Sequence, residues 1–231
     1  DPDHHDMPTE LLLADETLDE LASRIDPSTR TPDLGPVPRP GGSNTIYLSV
    51  VDANGMAVSF INSVYSSFGS CIAAPKSGVV FNNRAQGFVL DAGHPNVIAG
   101  GKRPMHTLAP GLVMRGGAPA LSFGVMGADF QPMGQVYALS NMLHFGMDVQ
   151  EALDAPRIFF EAPPAGVLGA EVGIPVETLE ALRAMGHDVQ VRSEPWGGGQ
   201  AVQIAATPDV PSGRLLFGGS DPRKDGCAIG Y

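Results

Sequence analysis

Residues 44–69, NTIYLSVVDANGMAVSFINSVYSSFG, limit the fold more than any other stretch of this chain. Apolar residues gather in two runs, 46–51 and 57–62, on either side of Asn54-Gly55, a pair that favours the backbone of a tight hairpin turn. The spacing predicts two antiparallel strands. The residues just ahead, RPGGSN, have the proline, glycine and small polar composition of a surface linker. Thr45 sits at that change of character. On spacing alone it either opens a strand or becomes the first residue of a new chain.

Upstream, TELLLADETLDELASRIDP places Leu18, Leu21, Ala22 and Ile25 on one helical face and stops before Pro27, and STRTPDLGPVPRPGGSN reads as a linker. Downstream, short strands are expected near 79–81, 112–114 and 120–125. Helices follow over PMGQVYALSNMLHFG and MDVQEALDAPR, the second with Asp148 and Glu151 at capping-box spacing and a stop at Pro156. IPVETLEALRAMG reads as a helix with Pro175 in its first turn and Gly186 just past its end. The last strands are expected around 200–206 and 214–217. Strands, then helices, then strands argue for a layered α+β fold rather than alternating βαβ units. No internal repeat is visible.

Composition narrows the function classes. At 231 residues, 43% hydrophobic and 17% charged, the chain has material for one sizeable core and a small second unit. The net charge of −11 argues against nucleic acid and anionic membrane as partners. Ten acidic and three basic residues precede Thr45, so most of that charge belongs to the leading segment. No apolar run approaches the ~18 residues of a membrane-spanning helix. Cys71 and Cys227 are too few for a disulfide scaffold and read as buried or free thiols. The chain starts with DPDHHD and looks cut from something longer, without its true N-terminus. The compartment stays undecided, with cytoplasm favoured over periplasm.

Several familiar motifs fail. Gly101-Lys102 is followed by Arg103 and has Asn96 where a phosphate loop needs glycine. Gly218-Gly219-Ser220-Asp221-Pro222 ends in proline where a nucleophile elbow needs glycine. Histidines 4, 5, 94, 106, 144 and 187 have no helical metal spacing, and His4-His5 in an acidic leader reads as a solvated pair. Neither metal nor cofactor is indicated.

Thr45 has a chemistry of its own. A hydroxyl is a weak nucleophile that needs a neighbouring base, and a chain's own α-amine supplies one on the same residue. That amine has a reference pKa of about 7.7–8.0, against about 10.4 for lysine, so roughly a tenth is neutral at pH 7. It exists only after cleavage at Asn44–Thr45. Attack by Thr45 on the Asn44 carbonyl would form an ester, and its hydrolysis would release the amine. Gly41, Gly42 and Ser43 suit that event sterically.

TIYLSVVDANGMAVSFINSVYSSFGS, GVVFNNRAQGF, HPNVIAGGKRPMHTLAPGLVM, FGVMGADFQPMGQV, VQEALDAPRIF and the terminal GGSDPRKDGCAIGY together resemble the gamma-glutamyltranspeptidase family of N-terminal-nucleophile hydrolases. The resemblance covers nearly the whole chain. It implies a four-layer αββα sandwich, made as one precursor that cuts itself into a large and a small subunit. Residues 1–44 then correspond to the tail of the large subunit, and 45–231 to the small, catalytic subunit. The large subunit becomes the expected partner, and the substrate a small-molecule amide.

Position by position, Thr45 matches the family's nucleophile and Ser63 the second hydroxyl behind it, usually Thr. Gly127 and Ala128 match the glycine pair whose amides stabilise the oxyanion. His106 and Thr107 fall where transpeptidases carry two serines near the substrate carboxylate. Tyr65, Arg84 and Gly87 replace the Asn, the Gln or Glu, and the Asp that grip a gamma-glutamyl donor, and a guanidinium offers only donors and positive charge. HPNVIAGGKRP is shorter than in lid-bearing transpeptidases, which favours hydrolysis over transfer. The sequence is most similar to the divergent branch that includes cephalosporin-acylase-like proteins and oxamate amidohydrolase. The expectation is a self-processing amidohydrolase acting on a carboxylate-bearing acyl group. A glutathione hydrolase and a non-catalytic ligand-binding relative are the alternatives.

Overall fold

The computed structural model describes residues 1–31, 44–161 and 166–230. The expected linker therefore lies mostly outside the described residues. In chain order the elements are α1 (Thr9–Leu12), α2 (Asp15–Ser23), β1 (Asn44–Val51), β2 (Ala57–Tyr65), β3 (Gly111–Arg115), β4 (Ala118–Met126), α3 (Phe130–Leu143), α4 (Val149–Asp154), β5 (Ile158–Glu161), β6 (Val167–Glu171), α5 (Val176–Ala184), β7 (Asp188–Arg192), β8 (Gly198–Ala206) and β9 (Arg214–Ser220). They belong to two compact units that interleave along the chain, one of residues 1–39, 85–106 and 158–193, the other of 40–84, 107–157 and 194–231. No helix among the described residues is long and apolar enough to cross a membrane.

The first unit is built on a three-stranded sheet, β5-β6-β7, in which β5 runs antiparallel and β7 parallel to β6. The parallel pair needs a crossover, and α5 supplies it. Ala170, Leu179 and Val189 form its core, with Ile158, Leu168 and Leu182 packed around them. This corrects the sequence reading in two ways: three strands appear that were not expected, and one local βαβ unit stands inside the α+β fold. IFFE and VLGAE are too short to show a period, and VLGAE carries Gly and Ala, which have low strand propensity. The helix expected upstream is broken at Leu13-Ala14 into α1 and α2 and ends at Ser23, short of Ile25; Leu18, Leu21 and Ile25 are exposed.

The second unit stacks two sheets, the β1-β2 hairpin and the four-stranded β3-β4-β8-β9. The hairpin turn is as expected: Gly55 has φ +86°, and the Asp52 carboxylate accepts from the amides of Asn54 and Met56 at 2.9 and 2.8 Å. Alternate residues of β4 serve opposite faces. Met126 packs with Tyr47 and Ile61 between the sheets, while Leu121 and Phe123 pack with Val149 and Leu153 on the helical side. The Asp148/Glu151 capping box is complete at the start of α4. Helix, sheet, sheet is thus the layer order of this unit. The outer face of the hairpin presents Ile46, Leu48, Val50, Val58 and Phe60, all exposed. The strand expected at 79–81 is not one; Val80 makes a single bridge to Ala73 across a turn at Gly78, φ +72°.

Candidate active site

The hairpin register follows from the turn. Pairing starts at Val51 opposite Ala57 and runs without interruption to Thr45 opposite Ser63. The two hydroxyl residues therefore face each other because each lies six residues out from the turn. One residue further the register shifts, and Asn44 is paired with Tyr65, leaving Val64 as the extra residue of a bulge. The bulge falls on the Asn44–Thr45 peptide. Strand β1 runs through that bond, so the chain described is the uncut one.

Thr45, Asn62, Ser63 and Val64 form one wall of a cavity of about 570 Å³, Met126 and Gly127 a second, and Pro195, Trp196, Gly197 and Lys224 the remainder. Gly127 has φ +131° and Ala128 φ +50°, so the chain reverses there between β4 and α3. The reason for glycine at 127 is a close approach: a Cβ built there would lie 2.7 Å from Cα of Gly197. Gly197 is constrained in turn, since its own Cβ would lie 2.5 Å from the Met126 carbonyl oxygen. Phe130 and Gln131 donate their amides to the carbonyls of Gly127 and Ala128 at 2.9 and 3.1 Å. The amides of 127 and 128 precede that first turn and have no intrahelical acceptor, at the end of the helix that carries partial positive charge.

The other expected residues divide. Tyr65 and Arg84 are buried, and the Arg84 guanidinium lies 5.2 Å from the Tyr65 ring centroid. Arg84 donates from Nη1 to Thr107 Oγ1 at 2.9 Å, while Nη2 has no partner among the described residues. Burial draws this guanidinium below its ordinary range, and Tyr65 works against that shift. None of these three side chains is in the cavity wall, although Val64, next to Tyr65, is. His106 is exposed and belongs to the first unit. Among the described residues no group of His, Cys, Asp or Glu could hold a metal ion, and both cysteines are free and exposed.

Sequence reasoning missed the support behind the wall. Asp221 is fully buried and pairs with Arg157 and, at 3.1 Å, with Arg223; its Oδ2 also accepts from the Gly199 amide at 2.8 Å. Arg157 donates to the Trp196 carbonyl at 2.6 Å, and Arg223 to that of Leu153 at 2.7 Å. A buried carboxylate between two guanidiniums is satisfied by this geometry and thereby fixes the 195–199 backbone. Lys224 was also missed. Its stem lies against Gly198, where a Cβ would come within 2.3 Å of its Cγ.

With this geometry in view, comparison with known proteins is direct. The gamma-glutamyltranspeptidase family profile matches residues 1–231. The chain is 37% identical over 239 residues to the glutathione hydrolase-like YwrD proenzyme of Bacillus subtilis and 35% identical over 237 residues to the oxamate amidohydrolase proenzyme of Klebsiella pneumoniae. In each case all of this chain is covered but only 43% of the relative. Among solved structures, cephalosporin acylase from Bacillus halodurans matches with a TM-score of 0.83 at 34% identity, over 100% of this chain and 41% of that one. A chain of Helicobacter pylori gamma-glutamyltranspeptidase matches with a TM-score of 0.68 at 26% identity, over 77% of this chain and 99% of its own.

Proposed function

The chain belongs to the gamma-glutamyltranspeptidase family, and from that premise we propose that it is the catalytic part of a self-processing amidohydrolase whose nucleophile is Thr45. The observation that carries this reading is the convergence of Thr45, Ser63 and Gly127 on one cavity, with the two hydroxyl residues opposed in the ladder. In self-cleavage, Thr45 Oγ attacks the Asn44 carbonyl carbon; the C–N bond breaks as the ester C–O bond forms. Water then cleaves the ester, leaving a carboxylate on Asn44 and a free α-amine on Thr45. In turnover the same oxygen attacks a substrate amide with that amine as base, the leaving amine takes the proton, and water releases the acyl group. The amides of Gly127 and Ala128 would carry the oxyanion in both reactions. The rest of the precursor is the partner, since relatives named as proenzymes extend well beyond this chain. The 1–44/45–231 division draws support from the Helicobacter pylori chain that this one spans almost completely.

For the acyl group we propose a small acid bearing a carboxylate and no α-amine. Arg84 stands outside the cavity wall, behind Val64 and Tyr65, but it is a buried cation whose Nη2 has no partner among the described residues, suited to a carboxylate that reaches past that wall and unsuited to an ammonium. The name of the oxamate amidohydrolase relative is in keeping with it. A glutathione hydrolase is the second reading, favoured by the Escherichia coli relative of that name at 31% identity.

Mass analysis of the full-length precursor tests the nucleophile: wild type should be cut at Asn44–Thr45, and Thr45→Ala should stay whole and inactive. Uncut wild type with full amidase activity would refute the mechanism. For the substrate, the readout is the ratio of kcat/KM on an anionic-acyl amide to that on a neutral-acyl amide. Losing a hydrogen bond between charged groups removes about 1.5–3 kcal/mol, so Arg84→Gln should lower the ratio about tenfold to a hundredfold. An unchanged ratio, or preference for gamma-glutamyl donors, rejects the acyl assignment.

A further inference from the structure

Tyr65 has a left-handed backbone, φ +78°. For a bulky aromatic residue this is an outlier that persists only where the surroundings over-determine it. They do so here from both sides. The ring is buried at 7% exposure with the Arg84 guanidinium over its face, and Arg84 is itself tied to Thr107. Along the backbone, the Asn83 amide donates to the Val64 carbonyl at 3.2 Å, and the Ser66 amide to Asn83 Oδ1 at 3.0 Å.

The residue anchored in this way also supports the hydroxyl pair. The Tyr65 amide donates to Ser63 Oγ at 2.9 Å, and Ser63 is the residue opposite Thr45. A hydroxyl that accepts from a fixed amide has one lone pair committed, and its proton must point away from that donor. The bulge places the same Tyr65 opposite Asn44, across from the bond that self-cleavage would break.

We infer that Tyr65 is a positioning residue acting through Ser63: its amide donates to Ser63 Oγ and orients that hydroxyl toward Thr45, while the left-handed exit at Tyr65 and the ring clamped by Arg84 and Thr107 hold the bulge that presents the amide. The inference rests on the reading of Thr45 as nucleophile. It replaces the expected role of Tyr65 as a substrate contact, because the ring is packed under Arg84 and the useful group is the main-chain N–H.

The signature is an order of variants that packing cannot produce. A ring that merely fills space ranks Ala above Gly, since Gly removes more. A backbone that must hold positive φ ranks Gly and Asn above Ala, because Gly has no Cβ penalty there and Asn tolerates the region. In the full-length protein, Tyr65→Phe should fall least. Tyr65→Ala should lose about a hundredfold in kcat with KM within about twofold, the scale expected when a catalytic group is misplaced by ~1 Å. Tyr65→Gly and Tyr65→Asn should recover about tenfold of that loss, and the half-time of self-cleavage should follow the same order. In a Ser63→Ala background the Tyr65→Asn effect should vanish, since the group being positioned is gone; this arm keeps the test decisive even if Tyr65→Ala does not fold. Ala equal to or above Gly, a loss confined to KM, or an Asn effect that survives Ser63→Ala overturns the inference. Thr45→Ala in parallel separates the two readings. If it is cut and active, the nucleophile assignment fails; if it is inert while the Tyr65 series ranks by size, only the role of Tyr65 fails.

Discussion

Gly127→Ala is the smallest change that should disable the site, and its effect can be worked from the contacts. The added Cβ would stand 2.7 Å from Cα of Gly197, a backbone atom that cannot swing aside as a side chain would. The φ of +131° is also one that residues with a Cβ rarely adopt. Strain of this kind costs on the order of 1–3 kcal/mol. Relief requires the 127–128 turn to withdraw from 197, which moves the two amides away from the oxyanion position proposed for them. Losing one such donor removes about 2.7–4 kcal/mol of transition-state stabilisation, or ~10²–10³ in kcat. The assay is steady-state turnover of the processed full-length enzyme, with the cut fraction of the precursor measured alongside. Gly116→Ala is the control: it too has positive φ, +58°, but its Cβ would enter open space. It should lower stability and leave kcat alone. Folded Gly127→Ala with wild-type kcat, or an equal kcat loss in Gly116→Ala, would refute the assignment of the oxyanion turn.

Asp221→Asn should destabilise the protein by about 3–5 kcal/mol in urea titration, because it leaves the buried Arg157 without its counter-charge; a loss under ~1 kcal/mol would show that the cluster is not held by charge. Tyr47 should titrate late. Burial raises its phenol above the ordinary 10.0, with hydrogen bonds from Ser122, Ser59 and Ser49 acting the other way. The folded state therefore prefers the protonated phenol, so this contribution to stability is complete below about pH 10 and is lost as pH climbs through the raised folded value. In phenolate absorbance Tyr47 should ionise above the ordinary phenol range, and Tyr47→Phe should remove that late step; a Tyr47 that ionises at the ordinary 10.0 refutes it.

Where the sequence was legible, a local rule and the packing agreed. Asn54-Gly55 set the turn, and the turn set the register, so the opposition of Thr45 and Ser63 follows from counting outward along two alternating strands. The Asp148/Glu151 box likewise needs only its own four residues. The sheet of β5, β6 and β7 was missed because its strands earn their place through neighbours: Ala170 is fully buried against Leu179 and Val189, yet by itself alanine predicts no strand. Leu18 and Leu21 show the reverse, a helical stripe on α2 that is exposed among the described residues, while Ile25, expected on the same face, lies past the end of α2 at Ser23.

The site divides along the same line, and the division says what kind of information it holds. The hydroxyl pair lies on one hairpin and is a local fact. Ser63 and Gly127 were both named only through resemblance, but Ser63 could have been counted off the hairpin, whereas the reason for glycine at 127 is Gly197, which reaches it from the loop before β8. That loop is held by Arg157 through the Trp196 carbonyl, and Arg157 by Asp221 at the end of β9. Each link joins residues remote in sequence, and none has a periodicity to betray it. Tyr65 is the instructive case between these extremes. Its side chain was read for what it could offer a substrate; in the structure the ring lies under the Arg84 guanidinium and the amide donates to Ser63 Oγ. A residue type announces its side chain; a strained backbone announces itself only in coordinates, and here it stands across the ladder from the Asn44–Thr45 bond.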